Sequence, residues 1–369
     1  MIQKQKKVLM ITSSTIGGGP KQLFLLATEL QNIYDISIAT PFDKSYLQKL
    51  NLLSLSKLIP VQRRKFNLFD LLRLVDFLKK NRISIIHSHG KGAGVLGRIS
   101  SLITGIPLIH TFHGIHVSGT SYFSRFLYIL YEKLFGNIEL YDIYVSKSEK
   151  RMAENYFSQP NNLSLIIPNG VSNFKKEFSL DNNRKTIRSF LNIRQEQISV
   201  VTLCSLERVK NIFETLRIAR LCPEMSFWIL GEGSLFNELQ EWIKRYKIDN
   251  VIFPGFFEET HQFLCAADIY LSSSFREGHP LSILEAMSVG LPIVASNVAG
   301  NIQTIEHSIS GFYYKLGDLH EASVYLKSLA TNDSLRVSLG LNAQSLQRTK
   351  FSSKIMAEKY NQLYSKIHI

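Results

Sequence analysis

Short apolar runs alternate with helix-length stretches along the whole chain, and this alternation restricts the fold more than any other feature. In the first half the strand-like runs are Lys7–Thr12, Ile36–Thr40, Ile83–His87, Leu108–Phe112, Ile143–Val145 and Leu165–Ile167. Helices fall between them, for example Pro20–Gln31 and Leu68–Asn81. A second series starts at Ser199–Leu203 and continues through Phe227–Leu230, Val251–Pro254, Asp268–Leu271 and Ile293–Ala295. Strand and helix in regular succession are the pattern of parallel α/β sheets, in which each crossover is long enough to hold a helix. Between the two series, Ser172–Asn192 is largely polar and lacks a clear period, so the linker is placed there. The chain has 369 residues, more than one core usually serves. The expected architecture is α/β: two doubly wound Rossmann-like domains facing across a cleft, residues 1–175 and 190–350. Ligand is expected at the carboxyl ends of the strands.

Composition fits an ordinary globular protein, with 45% hydrophobic and 20% charged residues. No run of 18 apolar residues occurs, so no spanning helix is expected. Met1–Lys7 is basic, but Val8–Ile11 is too short for a signal-peptide core and reads as the first strand. A cytosolic location is expected, with peripheral contact at the inner face of the membrane. Cys204, Cys222 and Cys265 are isolated, which indicates neither a zinc site nor a disulfide framework. The net charge of +13 is uneven: residues 1–180 carry 23 Lys and Arg against 11 Asp and Glu, the remainder 20 against 19. An anionic partner for the first half is implied. No nucleic-acid module is recognisable, so an anionic membrane or a phosphate-bearing lipid fits better, with a plain basic surface as the alternative. Ser121–Phe135 is aromatic and weakly charged, and two readings stand side by side. It is an interfacial helix with Arg125 and Lys133 at the headgroups, or a helix packed in the core. The cluster Arg63-Arg64-Lys65 can serve the same surface.

Chemistry concentrates after the strand-like run Asp268–Leu271, in Phe275-Arg276-Glu277-Gly278-His279-Pro280-Leu281-Ser282-Ile283-Leu284-Glu285-Ala286. Pro280 suits the first helical position, because its missing N–H would be unpaired there anyway. Glu285 then lies about 7 Å along the helix axis from Pro280. A ligand beside this helix touches Glu277 with one end and Glu285 with the other. Between them, the free N–H groups near Leu281 and Ser282 favour an anion. A hydroxyl-rich group, an anion and a second hydroxyl-rich group describe a nucleotide sugar. After the first strand, Thr12–Pro20 holds Gly17-Gly18-Gly19, where consecutive glycines let the backbone approach a phosphate. This is not GxGxxG, so a nicotinamide reading is weak. His113 follows a strand directly, where side chains enter a cleft.

The segment Glu277–Glu285 resembles the Glu-x7-Glu motif of retaining glycosyltransferases of family 4, which have the GT-B fold. The resemblance covers nearly the whole chain and is most specific between residues 199 and 312. It implies that Glu277 contacts the donor sugar and Glu285 the ribose, with Gly278, His279, Leu281 and Ser282 beside the donor. Gly18 and Gly19 would face the donor diphosphate. The family writes Gly-Arg-Leu-x-x-x-Lys followed by Gly or Asn after the second domain's first strand, and Lys210-Asn211 match. Ser205 stands at the usual arginine position, a departure that removes a bidentate phosphate clamp. Arg208, in the same loop, is the candidate replacement. Gly231 and Gly233 match a turn near the nucleotide, and Phe256 a segment that holds the base. Ile167–Val171 fits the approach to the linker, and residues 351–369 are placed to cross back to the first domain.

The family places a histidine next to the donor sugar, a role carried to His113, whereas His110 reads as structural. His87 and His89 form a second strand-end cluster. With Lys91, Gly97 and Arg98 this stretch resembles capsular and lipopolysaccharide members. His89, Lys91 and His113 are the acceptor-side candidates; His113, Glu277 and Lys210 are the catalytic ones. No Asp-x-Asp occurs and no metal-ligand set is evident, which agrees with the metal-independent chemistry of the family. The implied reaction moves a sugar with retention from a nucleoside-diphosphate sugar, UDP by family frequency, to a glycan on a lipid pyrophosphate carrier. A donor phosphate oxygen would accept the acceptor's proton, with no cofactor. Two alternatives are a non-catalytic nucleotide-sugar-binding partner subunit, suggested by Ser205, and a sugar-nucleotide epimerase of the same fold.

Overall fold

A computed structural model describes residues 5–115, 122–157, 163–174 and 180–367. The chain divides into two compact units, Met1–Gly170 with Ser353–Ile369, and Val171–Ser352.

The first unit is built on seven parallel strands: β1 (Lys7–Thr12), β2 (Asp35–Thr40), β3 (Lys57–Pro60), β4 (Ile85–His89), β5 (Leu108–Phe112), β6 (Tyr141–Tyr144) and β7 (Leu163–Ile166). Their order is β3-β2-β1-β4-β5-β6-β7. Alternate residues of one strand serve opposite faces. Val8 and Met10 join Leu23, Leu26 and Tyr360 on one side, while Leu9 and Ile11 join Leu74, Leu78 and Leu96 on the other. Both faces are covered, which is why the strands read as continuous apolar runs. The last helix, Ser353–Lys366, belongs to this unit and buries Met356, Tyr360 and Tyr364 in its core.

The second unit repeats the design with β8 (Ser199–Leu203), β9 (Ser226–Leu230), β10 (Val251–Gly255), β11 (Ile269–Ser272), β12 (Ile293–Ser296) and β13 (Gly311–Tyr314), in the order β10-β9-β8-β11-β12-β13. In each sheet the winding direction reverses beside one strand, at β1/β4 and at β8/β11. A crevice opens there at the carboxyl ends, where doubly wound sheets bind ligand.

The structure corrects the sequence reading in several places. Part of the proposed linker is helical, Leu180–Phe190. Its polarity misleads because Arg188 is fully buried, held by Asp268 at 2.6 Å and by the carbonyl of Ala266 at 3.1 Å, beside buried Ile187. Edge strands β3 and β13 were not expected. Each has four residues, and Pro60 or Gly311 at one end weakens the strand signal. β4 starts at Ile85, two residues later than expected, because Arg82 closes the preceding helix in the left-handed region (φ 54°) and Ile83 N–H still bonds Leu78. His87 is therefore mid-strand and His89 ends the strand.

Candidate functional site

At the β8/β11 switch point, two loops are stitched together by a run of serines. Ser273 donates to the carbonyl of Asn211 at 3.0 Å, and Phe275 N–H donates to that of Val209 at 2.9 Å. This seats Lys210 Nζ 2.7 Å from Glu277 Oε1, which also accepts the Ser274 hydroxyl at 2.6 Å. The pair is partly buried, with 23% and 11% of the two side chains exposed, so its attraction is screened less than at the surface. Lys210 and Glu277, assigned to different parts of one ligand, are thus each other's partner when none is bound. Ser273 and Ser274 went unremarked in the sequence, although three consecutive serines after a strand are a visible signal. Cys204 at the end of β8 has its thiol pushed up to about 12 by burial, so it stays a neutral thiol.

The helix beside this pair is Leu281–Ser288, with Pro280 as its N-cap residue rather than its first helical one. Leu281 is buried, Ser282 is partly exposed, and Glu285 is only 4% exposed. His279 is buried with its ring 4.9 Å from that of Phe351, so it packs inward. Gly278 lies under Gly300, where a Cβ would come within 2.8 Å of its carbonyl oxygen. Ser205 and Arg208 are both exposed, Arg208 in the 3₁₀ turn that ends at Lys210. Gly231 (φ 141°) and Gly233 pack on the backbone of that same loop. A Cβ would sit 1.8 Å from Cys204 O at the first and 2.5 Å from Leu206 O at the second. Their glycine requirement is therefore met within the protein. Phe256 is 54% exposed just after β10.

At the β1/β4 switch point of the first unit, Gly17 (φ 101°) caps a helix that begins at Gly18. Gly18 and Gly19 thus form its first turn rather than a loop before Pro20. Pro20 tolerates this because the first turn needs no N–H from it. A Cβ on Gly19 would lie 3.3 Å from the ring of His113, so the glycine admits the histidine at the end of β5. His113 is partly exposed, and its Nε2 is 3.2 Å from His89 Nδ1, the two rings being stacked. Burial pulls His113 down to about 4 and His87 to about 3, so both are neutral at pH 7. His89 is 3% exposed and lies behind His113, bonded to Gln22. Gln22, Tyr360 and Tyr364 complete this cluster and carried no sequence signal, because they come from distant helices. His110 is buried against Ser88 at 2.8 Å. Among the described residues, no group of three or more His, Cys, Asp or Glu is arranged to hold a metal ion.

Lys91 starts the helix after β4, its Nζ lying 4.0 Å from the ring centre of Tyr128 on the helix Tyr122–Phe135. That helix turns its polar residue inward: Glu132 is buried and bonded to buried Arg98 at 2.6 Å. Arg98 also holds Glu139 at 2.5 Å. Phe123, Phe126, Leu127, Leu130 and Leu134 are exposed on the opposite side. The helix packs on the core with one face, through Tyr128 and partly buried Ile129, and leaves the other face exposed. No helix among the described residues is long and apolar enough to cross a membrane.

Comparison with known proteins matches this arrangement. The family model described as Glycosyltransferase Family 4 covers residues 16–173, and that described as Glycosyl transferases group 1 covers residues 183–346. The UDP-Gal:alpha-D-GlcNAc-diphosphoundecaprenol alpha-1,3-galactosyltransferase of Escherichia coli is 29% identical over 68% of this chain and 67% of its own length. The capsular polysaccharide biosynthesis glycosyltransferase CapM of Staphylococcus aureus is 24% identical over 90% of each chain. Among solved structures, Anabaena Alr3699/HepE in complex with UDP and glucose superposes with a TM-score of 0.83 at 19% identity, over 98% of this chain and 100% of that one. The fold class is that of GT-B glycosyltransferases. With one model on each half, a shared Rossmann-like design and capsular and lipid-linked relatives, the chain belongs to the family 4, group 1 glycosyltransferases.

Proposed function

We propose that this protein transfers a sugar, with retention at the anomeric carbon and without a metal ion, from a UDP-sugar to a saccharide on a lipid diphosphate carrier in surface polysaccharide assembly. The observation that carries this reading is the Lys210–Glu277 pair at the β8/β11 switch point, next to the start of the helix Leu281–Ser288. A diphosphate competes for Lys210 and releases Glu277 to accept hydrogen bonds from sugar hydroxyls. Charge growing on the leaving diphosphate is then met by a lysine and a helix N-terminus, which is what metal-free departure requires. Arg208 stands where it can add a second cation. In the first unit, His113 is the group assigned to the sugar. The names of the E. coli and S. aureus relatives support the lipid-diphosphate and capsular context.

The apolar stripe from Phe123 to Leu134 fits a lipid-borne acceptor, because such a helix lies in the headgroup region with its charges at the edge. Lys133 borders the stripe, and the first half of the chain carries the basic excess that anionic lipid attracts. The test is release of UDP from a panel of UDP-sugars, with a lipid diphosphate saccharide as acceptor and EDTA present. Transfer with inversion, dependence on a divalent ion, or a product still attached to the nucleotide would each refute part of the proposal. Flotation with anionic and neutral vesicles tests the membrane contact. Phe126→Ser with Leu130→Ser should abolish binding, and equal binding to both vesicle types would defeat the electrostatic part.

A further inference from the structure

The buried polar groups behind His113 form one connected hydrogen-bond network. Gln22 Nε2 donates to the Tyr360 hydroxyl oxygen at 3.3 Å. The Tyr360 hydroxyl and Thr111 Oγ1 share a hydrogen bond at 2.9 Å. Thr111 Oγ1 also lies 2.8 Å from His87 Nε2, and the Tyr364 hydroxyl 2.5 Å from His87 Nδ1. The same orientation of the Gln22 amide points Oε1 at His89 Nδ1, 3.1 Å away. A carbonyl oxygen only accepts, so His89 Nδ1 bears the proton. His89 Nε2 is then a bare lone pair, buried and without a hydrogen-bond partner among the described residues. The His89 N–H is shared with His113 Nε2 at 3.2 Å, which leaves that nitrogen no proton of its own. Burial keeps both rings neutral, so each holds one proton.

We propose that Gln22 and His89 are positioning residues that hold His113 in its Nδ1–H tautomer, so the one proton His113 offers a sugar or phosphate oxygen is on Nδ1. The proposal rests on the assignment of His113 to the sugar. Tyr360, on the last helix, accepts from the Gln22 amide and so supports the orientation that turns Oε1 to His89. His89, expected to meet the acceptor itself, acts through His113 instead.

The experiment is a long-range proton–nitrogen correlation spectrum of the full chain labelled with ¹⁵N-histidine, with resonances assigned by single substitutions. The His113 signals should show a neutral ring protonated on Nδ1 in the wild type and a shift toward Nε2–H in Gln22→Leu. Kinetics supply the second arm. His89→Leu should lower kcat about tenfold, the scale of one hydrogen bond, with the donor KM little changed. His89→Asn places an amide N–H near the lost Nδ1–H and should restore most of that activity. A wild-type His113 protonated on Nε2 overturns the proposal, as does a Gln22→Leu spectrum identical to wild type or a His89→Leu enzyme with full kcat. Should His89→Leu fail to fold, the wild-type and Gln22→Leu spectra still decide. Full activity in His113→Leu would remove the sugar assignment, and with it the positioning role, while the spectrum reads the tautomer alone.

Discussion

Lys210 and Glu277 are 67 positions apart in the chain and 2.7 Å apart in space, each holding the other. Lys210→Met should lower kcat about 100-fold, the scale seen when one preorganised transition-state contact is removed. It should leave the thermal midpoint within a few degrees, because the pair is partly solvated. Parallel turnover and thermal unfolding measurements check both. Ser205 carries no charge, which leaves Arg208 and Lys210 as the cations of that turn, so Arg208→Ala should raise the donor KM. No change in KM would leave Lys210 as the sole cation of that loop. The buried histidines set a pH dependence of stability. Burial lowers His113 from 6.5 to about 4 and His87 to about 3, so the unfolded chain binds more protons below pH 6.5. Stability is fully present above pH 6.5 and falls as pH drops toward 4 and then 3, by up to about 1.4 kcal/mol per pH unit per histidine. Denaturant midpoints at pH 7.5 and 5.0 should show the loss. In His87→Gln the slope should be shallower.

At the scale of elements, the site depends on close backbone approaches and on one buried ionic knot. The turn after β9 reaches the loop carrying Lys210 only because Gly231 lacks a Cβ and adopts φ 141°. Gly231→Ala should cost on the order of 1–3 kcal/mol from backbone strain alone. Contact with Cys204 O adds to this and displaces the loop, so the donor KM should rise with the fall in stability. Arg98 neutralises two carboxylates, Glu132 and Glu139, and thereby anchors the helix Tyr122–Phe135 with its apolar side outward. Arg98→Met leaves both acids buried without their cation, a loss of about 3–5 kcal/mol. Calorimetry should register it, together with loss of vesicle binding as the helix detaches. A stable variant that still binds vesicles would show that the knot is dispensable.

At the scale of the whole molecule, the two units differ in how the chain completes them. Residues Val171–Ser352 form the second unit as one continuous segment, whereas the first needs the last helix. Tyr360 and Tyr364 are fully buried among Val8, Met10, Leu23 and Ile36. A chain ending at residue 352 should therefore lose the first unit while keeping the second. Hydrogen exchange would show protection retained in β8 to β13 and lost in β1 to β7. Protection in both sets would mean that the last helix is an accessory.

Alternating apolar runs were enough to announce two parallel α/β units, because strands covered on both faces must be apolar throughout. The spacing from Glu277 to Glu285, together with Lys210-Asn211, was enough to name the family, because those residues lie in short stretches after strands. Local pattern carries no record of long-range burial. Arg188 looked like linker and is core, His89 looked like an acceptor-side group at a strand end and is buried, and the helix Tyr122–Phe135 turns Glu132 inward. Each outcome was decided by a partner distant in sequence: Asp268 for Arg188, Gln22 for His89, Arg98 for Glu132. A polar side chain is buried only where such a partner offsets its desolvation, and only the folded chain brings the two together.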